Sequence, residues 1–534
     1  MPIAPTYPSP HAAEFRAAGH WPQQSLATLF AHTAQAHAAR ESLIDGSCRL
    51  TFHELDRRVQ HLATGFGSLG LGRGDVIAYQ LPNWWEAAVV FLAALRIGAT
   101  ANPLLPIFRE AELRFTLRQS GARALVIPAT FRNCDHRALL AAVRRELPAL
   151  THVLVARGAP AERMQSFTHL LEASAAEHTL PGPAVDPDSI ALVMYTSGTT
   201  AEPKGVLHTH NTLAAEVRSL QRVHQLTAED RTLMPSPLTH ISGVIHGILT
   251  PALLGTSAVL MERWEPARAA ALIAQERVTY MVGAPTFLQD LLAQPHTQDA
   301  GSLRLFSCGG AGVSPALMQR ARARFPSCVA KRVYGSTEFP TLTTTDAADA
   351  LTHGIDTEGR AIHPAEVRIA DASGTALPRG AEGEVQGRGP ECFVGYLDAR
   401  LNADAFTRDG WFRTGDLGVL DAAGYLRITG RLKEISIRKG EKISVKEVED
   451  AIAAHPAIAE VAVIPCPDAD SGERVCAVVR LHTGQSVDLA ALGTFLSRCG
   501  LAKQKWPEQL ELVADFPRTD SGKILRSQLK ERFA

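Results

Sequence analysis

The stretch Asp75–Gly98, DVIAYQLPNWWEAAVVFLAALRIG, joins two kinds of apolar pattern in one short span. DVIAYQL is a brief apolar run stopped by proline and reads as a strand. WWEAAVVFLAALRIG is apolar on nearly every face, so it reads as a buried helix, with Gly98 as the residue that closes it. A strand followed directly by a buried helix is the unit of a layered α/β fold.

The same rhythm extends in both directions. Upstream, in LTFHELDRRVQHLATGFGSLG, Thr51 and Glu54 have capping-box spacing, and Leu55, Val59, Leu62, Ala63 and Phe66 recur on one helical face. Downstream, ARALVIP reads as a strand after Gly121. AALIAQERVTYMVGAPTFLQDLLA and LRLFSCGGAGVSPALMQRARARF repeat the alternation, with Ser314 and Pro315 suited to an N-cap and first helical position. The pattern predicts largely parallel sheets, with ligands gathered beyond the carboxyl ends of their strands.

From about residue 365 the pattern shortens into glycine-rich alternating segments such as AEVRIADASGTALPRGAEGEVQGRGP and GYLRITGR, which predict a small β subdomain. A compact α+β tail follows. In it Ser444 and Glu447 repeat the capping-box spacing, and Val445, Val448 and Ile452 supply an apolar face. The expected division is 1–432 and 433–534.

Composition narrows the function classes. A chain of 534 residues exceeds one ordinary core, so at least two domains are expected. The 54 basic and 55 acidic residues give a net charge of -1, so no global field attracts nucleic acid or an anionic surface, and any anion site must be local. No basic leader with an apolar core opens the chain, and no run approaches the roughly 20 apolar residues of a membrane span, so a cytoplasmic protein is expected. The eight cysteines form no C-x-x-C pair and are expected to be buried free thiols.

One loop has its own chemistry. YTSGTTAEPKG, Tyr195–Gly205, combines glycines that let a backbone approach closely, hydroxyls that donate hydrogen bonds, and one lysine, a composition suited to a polyphosphate. It is not a P-loop: counting from Gly198, Pro203 falls where the second glycine belongs, and Gly205 replaces the final hydroxyl residue. A solvated loop between strands has a similar composition.

The loop resembles the phosphate-binding signature of the adenylate-forming superfamily of acyl-CoA synthetases, luciferases and adenylation domains, with Ala201 at a position usually held by glycine. PLTHISG at Pro237, VYGSTE at Val333, WFRTGDLG at Trp411, TGRLKE at Thr429 and PRTDSGKILR at Pro517 follow in that family's order. QLPNWWEAAVVFLAALRIGATANPLLP resembles the matching region of short- and medium-chain fatty-acyl and cyclohexanecarboxylate CoA ligases.

The resemblance implies a large N-terminal domain of layered sheets and helices with a small β subdomain, and a mobile α+β C-terminal domain. It implies activation of a short- or medium-chain fatty or alicyclic acid as acyl-AMP with ATP and Mg2+, then transfer to coenzyme A. An aryl-CoA ligase, a carrier-protein acylating enzyme and a non-catalytic nucleotide-binding relative are the alternatives. No carrier domain is visible in the chain, which favours CoA. The resemblance leaves a homodimer open.

By the same resemblance, Thr196, Ser197, Gly198, Thr199, Thr200 and Lys204 surround the β- and γ-phosphates, and Glu338 with Thr200 holds Mg2+. Gly309, Gly310 and Ala311 pass the adenine and acyl group. Tyr334 lies against adenine in the turn that continues through Gly335, and Thr337 meets the α-phosphate. Asp416 and Arg431 hold the ribose. Lys523 bridges substrate carboxylate and α-phosphate, His240 gates the carboxylate pocket, and Lys433 is the hinge of the tail. Lys439 and Lys442 depart from the glycine and asparagine usual in the thiol tunnel, and the run that contains them also suits a solvated face. His208 and His210 share the spacing of one strand face, with no Cys or acidic partner to suggest a metal site. His246 either lines the acyl pocket or caps a helix turn.

Overall fold

A computed structural model describes residues 3–174, 184–196, 203–294, 301–432, 435–438, 441–468, 472–519 and 522–533, with backbone alone at 435–438, 441–442 and 472. Ser197, Gly198, Thr199, Thr200, Ala201, Lys433 and Lys439, with the side chain of Lys442, lie outside the described residues.

The opening stretch folds as its pattern predicts. Val76–Tyr79 is a fully buried strand, and Trp85–Arg96 is a helix buried at every position from Glu86 to Leu95. Its one buried acid, Glu86, is neutralised by Arg157 at 2.8 Å. Gly98 leaves the helix at φ 72°, a left-handed conformation that glycine adopts without strain.

Among the described residues the strands form two large sheets, two small ones and a two-stranded ribbon of Thr130–Phe131 with Cys134–Asp135. One large sheet runs Lys204–Thr209, Ile190–Thr196, Thr100–Pro103, Val76–Tyr79, Ala124–Pro128, His152–Ala156 and Gln165–Ser166. All its pairings are parallel except that of Ile190–Thr196 with Lys204–Thr209. The other runs Arg360–Ala361, Thr343–Thr344, Val329–Tyr334, Leu305–Gly309, Tyr280–Gly283, Arg231–Met234, Ser257–Leu260, Glu41–Asp45 and Cys48–Thr51. It is parallel in the middle and antiparallel at both edges.

The largest apolar core draws on both sheets and on the helices Leu26–Ala36, Phe52–Ser68, Trp85–Arg96 and His210–His224. The helices therefore form a layer shared by two sheets, as helices covering buried parallel strands must.

The β subdomain is an antiparallel sheet of Glu366–Ala370, Glu382–Arg388, Phe412–Leu420 and Leu426–Arg431, with its own aromatic core of Phe393, Tyr396, Phe406 and Phe412. The tail sheet, from Ile435–Arg438 onward, packs against helix Val445–Ala453 and buries Val445, Val448 and Ile452.

Local details sharpen or amend the sequence expectations. Thr51 and Glu54 form the full capping box, and Ser314 caps a helix with Pro315 at its start. At Ser444 only half of the box is seen: its hydroxyl accepts the Glu447 amide, while the Glu447 carboxylate turns to Lys505 at 2.7 Å. All eight cysteines are free, but only Cys308, Cys328, Cys466 and Cys476 are buried. Cys499 is exposed, while Cys48, Cys134 and Cys392 are half-buried.

Candidate active site

The carboxyl ends of several strands converge on one cleft of about 830 Å3, open at its mouth. Gly283, Gly309 and the turn from Gly335 to Thr337 line it from the large sheet, His240 and His246 line it from a helical segment, and Lys523 reaches it from the tail.

The glycines in this cleft answer to close backbone approaches. A β-carbon on Gly309 would come within 2.3 Å of the Val333 carbonyl oxygen, and one on Gly335 within 2.1 Å of the Pro340 carbonyl oxygen. Gly310 adopts φ 79° and runs under the Lys523 side chain. Ala311 lies exposed just beyond it.

The phosphate-type loop is the connection of a hairpin. Thr196 pairs with Lys204 across the two strands, so both stand where the loop enters and leaves. The Lys204 ammonium sits 4.9 Å above the centre of the Tyr396 ring, and the Tyr396 hydroxyl donates to Glu338 at 2.8 Å. No local motif marks Tyr396, which lies in an apolar segment remote from both partners. Its isolated bridge to Val206 brings it beside the hairpin.

Asp416 and Arg431 face each other on neighbouring strands of the β subdomain. Arg431 Nε donates to Asp416 Oδ1 at 2.7 Å, and the Tyr334 hydroxyl donates to Oδ2 at 2.7 Å. A carboxylate has about four acceptor sites, so two remain for a pair of hydroxyls. Burial, then the Asp416 charge, hold the Tyr334 phenol well above its ordinary range, so it remains a donor.

Thr337 is fixed from behind. The His208 Nε2 donates to its carbonyl at 2.8 Å, while Nδ1 meets the Thr212 hydroxyl at 3.1 Å. His210 instead begins the next helix, and its Nδ1 accepts the Leu26 amide at 3.2 Å. The two histidines thus have separate structural partners. Among the described residues no cluster of His, Cys, Asp and Glu could hold a metal on its own.

His240 caps a short helical turn, Ile241–Gly243, that continues into a π-helical stretch, Val244–Leu249. That wider turn carries His246 into the cleft, where its Nδ1 meets the Tyr280 hydroxyl at 3.1 Å. Of the two readings for His246, lining the pocket is the one observed. Burial, with the Lys523 charge adding to it, pushes His240 down to about 3, so the ring is neutral at ordinary pH.

Lys523 enters on a loop whose Gly522 has φ 83°. A β-carbon on Gly522 would lie 2.6 Å from the Thr286 hydroxyl, so only glycine lets the tail come this close. The Lys523 amide donates to the Thr519 hydroxyl at 3.0 Å, which braces the turn. Its ammonium makes no hydrogen bond among the described residues. Burial lowers its pKa, Arg431 lowers it further, and the charges of Glu338 and Asp416 oppose that shift.

The cleft thus holds a cation and close-approach glycines, and the carboxylates of Asp416 and Glu338 lie near enough to act on that cation, a set suited to a nucleotide and a second anion. Residues 30–397 match the family described as AMP-binding enzyme, and 447–523 match the AMP-binding enzyme C-terminal domain. The chain is 36% identical to the medium-chain fatty-acid–CoA ligase of Escherichia coli (strain K12), over 99% of this chain and 94% of that protein. It is 33% identical to the 2-hydroxy-7-methoxy-5-methyl-1-naphthoate–CoA ligase of Streptomyces carzinostaticus, over 98% and 96%. The ATP-bound structure of MatB from Rhodopseudomonas palustris superposes with a TM-score of 0.85 at 28% identity, covering 95% of this chain and 99% of that one. The chain belongs to the AMP-binding enzyme family and is an ATP-dependent adenylate-forming ligase.

Proposed function

We propose that this ligase activates a cyclic carboxylic acid, an aryl acid in the first place, as its acyl-AMP and passes the acyl group to the thiol of CoA. The observation that carries this reading is the inner wall of the cleft. Tyr280, itself enclosed, packs at an angle between His224 and His246 with ring centres 5.6 Å from each, so a cluster of three rings backs the cleft, an environment suited to a flat ring. The naphthoate ligase among the relatives supports it. A medium-chain fatty acid is the second reading, favoured by the 36% identity to the Escherichia coli enzyme.

In the first half-reaction a carboxylate oxygen attacks the α-phosphorus of ATP, and the bond to pyrophosphate breaks. Two anions brought to about 4 Å repel by roughly 4 kcal/mol at an effective dielectric of 20, so the site must supply positive charge before chemistry begins. Lys523 provides it between the carboxylate and the α-phosphate. Asp416, oriented by Tyr334 and Arg431, receives the ribose hydroxyls. Thr337, held by His208, meets the α-phosphate, and Tyr334 flanks the base. Thr196 and Lys204, with Ser197 to Thr200, take the outer phosphates. The neutral His240 orders the carboxylate without acting as a base.

Glu338 fits a hard cation: Tyr396 occupies one oxygen and the other is uncommitted among the described residues. With Thr200 it would hold Mg2+, which supplies neutralisation of the outer phosphates when bound. In the second half-reaction the CoA sulfur attacks the acyl carbon, the bond to AMP breaks, and the thiol proton leaves to solvent. Lys433 is the hinge about which residues 433–534 turn between the two steps.

The test is pyrophosphate release across acetate to decanoate, cyclohexanecarboxylate and benzoate, with and without CoA. Release with the cyclic acids, and faster AMP release with CoA, is expected. Preference for octanoate moves the assignment to the fatty-acid reading, and CoA-independent AMP release points to a carrier-protein thiol.

A further inference from the structure

The helix His210–His224 presents Glu216, Leu220 and His224 to the cleft, at successive intervals of about one helical turn. Two of the three are polar and almost wholly enclosed, Glu216 at 1% and His224 at 3% exposure. Neither Glu216 oxygen has a hydrogen-bonding partner among the described residues, and neither has His224 Nδ1. His224 Nε2 makes only a long contact of 3.4 Å with the Ser307 hydroxyl. The Thr341 hydroxyl and amide lie beside the Glu216 carboxyl and favour its charged form.

A buried polar atom left without a partner costs about 1–3 kcal/mol, and folded proteins keep few of them. These unpartnered atoms border the same cleft that Lys523 enters. Ser307 precedes Gly309 by two residues on one strand, about 7 Å back along it, whereas Gly310, the next residue, lies against Lys523, so this region is set back from the cation. A plain hydrocarbon tail placed there leaves every one of these atoms unpaired. A ligand that brings its own hydrogen-bonding group satisfies them.

We infer that Glu216 and His224 are specificity residues that bind a hydroxyl or amino group carried on the acyl moiety at the end remote from the reacting carboxylate. The inference rests on the reading that the cleft holds a cyclic acid, and it adds which cyclic acids are selected. The Glu216 carboxyl is pushed up to about 8, chiefly by burial and also by the neighbouring Glu391, so near neutrality it both donates and accepts. A substituent hydroxyl or aromatic amine matches that neutral pairing, whereas a second carboxylate does not.

The experiment compares kcat/KM for pyrophosphate release with benzoate, the three hydroxybenzoates, the three aminobenzoates and octanoate. In the wild-type enzyme at least one substituted ring is expected to exceed benzoate by tenfold or more. Glu216→Leu should erase that ratio while leaving benzoate and octanoate active, and Glu216→Gln should restore much of it. Benzoate equalling or exceeding every substituted ring in the wild type overturns the inference, and so does an unchanged ratio in Glu216→Leu. The wild-type comparison needs no variant to fold. Activity with octanoate alone overturns the cyclic-acid reading and this inference with it, whereas activity with benzoate but no substituent preference overturns only the inference.

Discussion

At Lys523 a single flexible side chain carries the charge that adenylation requires, and it has no partner of its own in the described cleft. Loss of one preorganised electrostatic group costs roughly 100-fold or more in rate. Lys523→Ala is accordingly expected to lower acid-dependent pyrophosphate release by that factor while ATP still binds. Near-normal release would remove Lys523 from the first half-reaction. That Lys523, Asp416 and Glu338 come near one another was legible in the sequence, because each sits in a short motif of one ordered set. Tyr396, Tyr280 and Glu216 were not. They meet the site through sheet pairing and helix packing between segments far apart in the chain, and nothing local to FVGYL or AAEVRSL distinguishes a cleft residue from a core one.

At the scale of elements, periodicity read the strands and helices well, because burial on one side or on all sides leaves a direct imprint on residue order. The π-helical turn Val244–Leu249 left no such imprint, since its apolar content suits an ordinary helix equally well. The half-formed box at Ser444 shows the converse: the spacing was right, but Lys505, distant in sequence, offered Glu447 a stronger electrostatic partner. Strand ends also carry constraints that periodicity cannot convey. Gly309 closes Leu305–Gly309 with the Val333 carbonyl so near that a methyl group must push the two strands apart. Overpacking of this kind costs about 1–3 kcal/mol. Gly309→Ala is expected to lower the Tm by several degrees and to reduce adenylate formation at least tenfold. Thermal melting with pyrophosphate release checks both, and an unchanged Tm would mean that the strands yield without penalty.

At the scale of the molecule, the two-domain α/β architecture followed from the layered alternation of strand and helix and from the compact α+β tail expected after residue 432. Whether the tail turns about Lys433 is a question of relative motion, which residue order encodes only weakly. Proline at that position fixes φ and removes a backbone donor. Lys433→Pro should therefore impair the CoA-dependent step by at least tenfold more than adenylation, measured as thioester formation against pyrophosphate release. Equal loss in both would count against the hinge.

The placement of Glu41–Asp45 has a consequence for how the chain comes to be folded. This early strand lies between Cys48–Thr51 and Ser257–Leu260, and Leu43 pairs with Ala258. The smaller of the two large sheets is complete once residue 209 has left the ribosome, but the amino-terminal strand must wait for residue 260. At synthesis rates of about 5–20 residues per second that wait lasts of order ten seconds or more. During it Leu43 and Ile44, which end fully enclosed, have no long-range partner strand. The apolar strand Glu41–Asp45 is therefore exposed to self-association in the interval between its own translation and that of Ser257–Leu260.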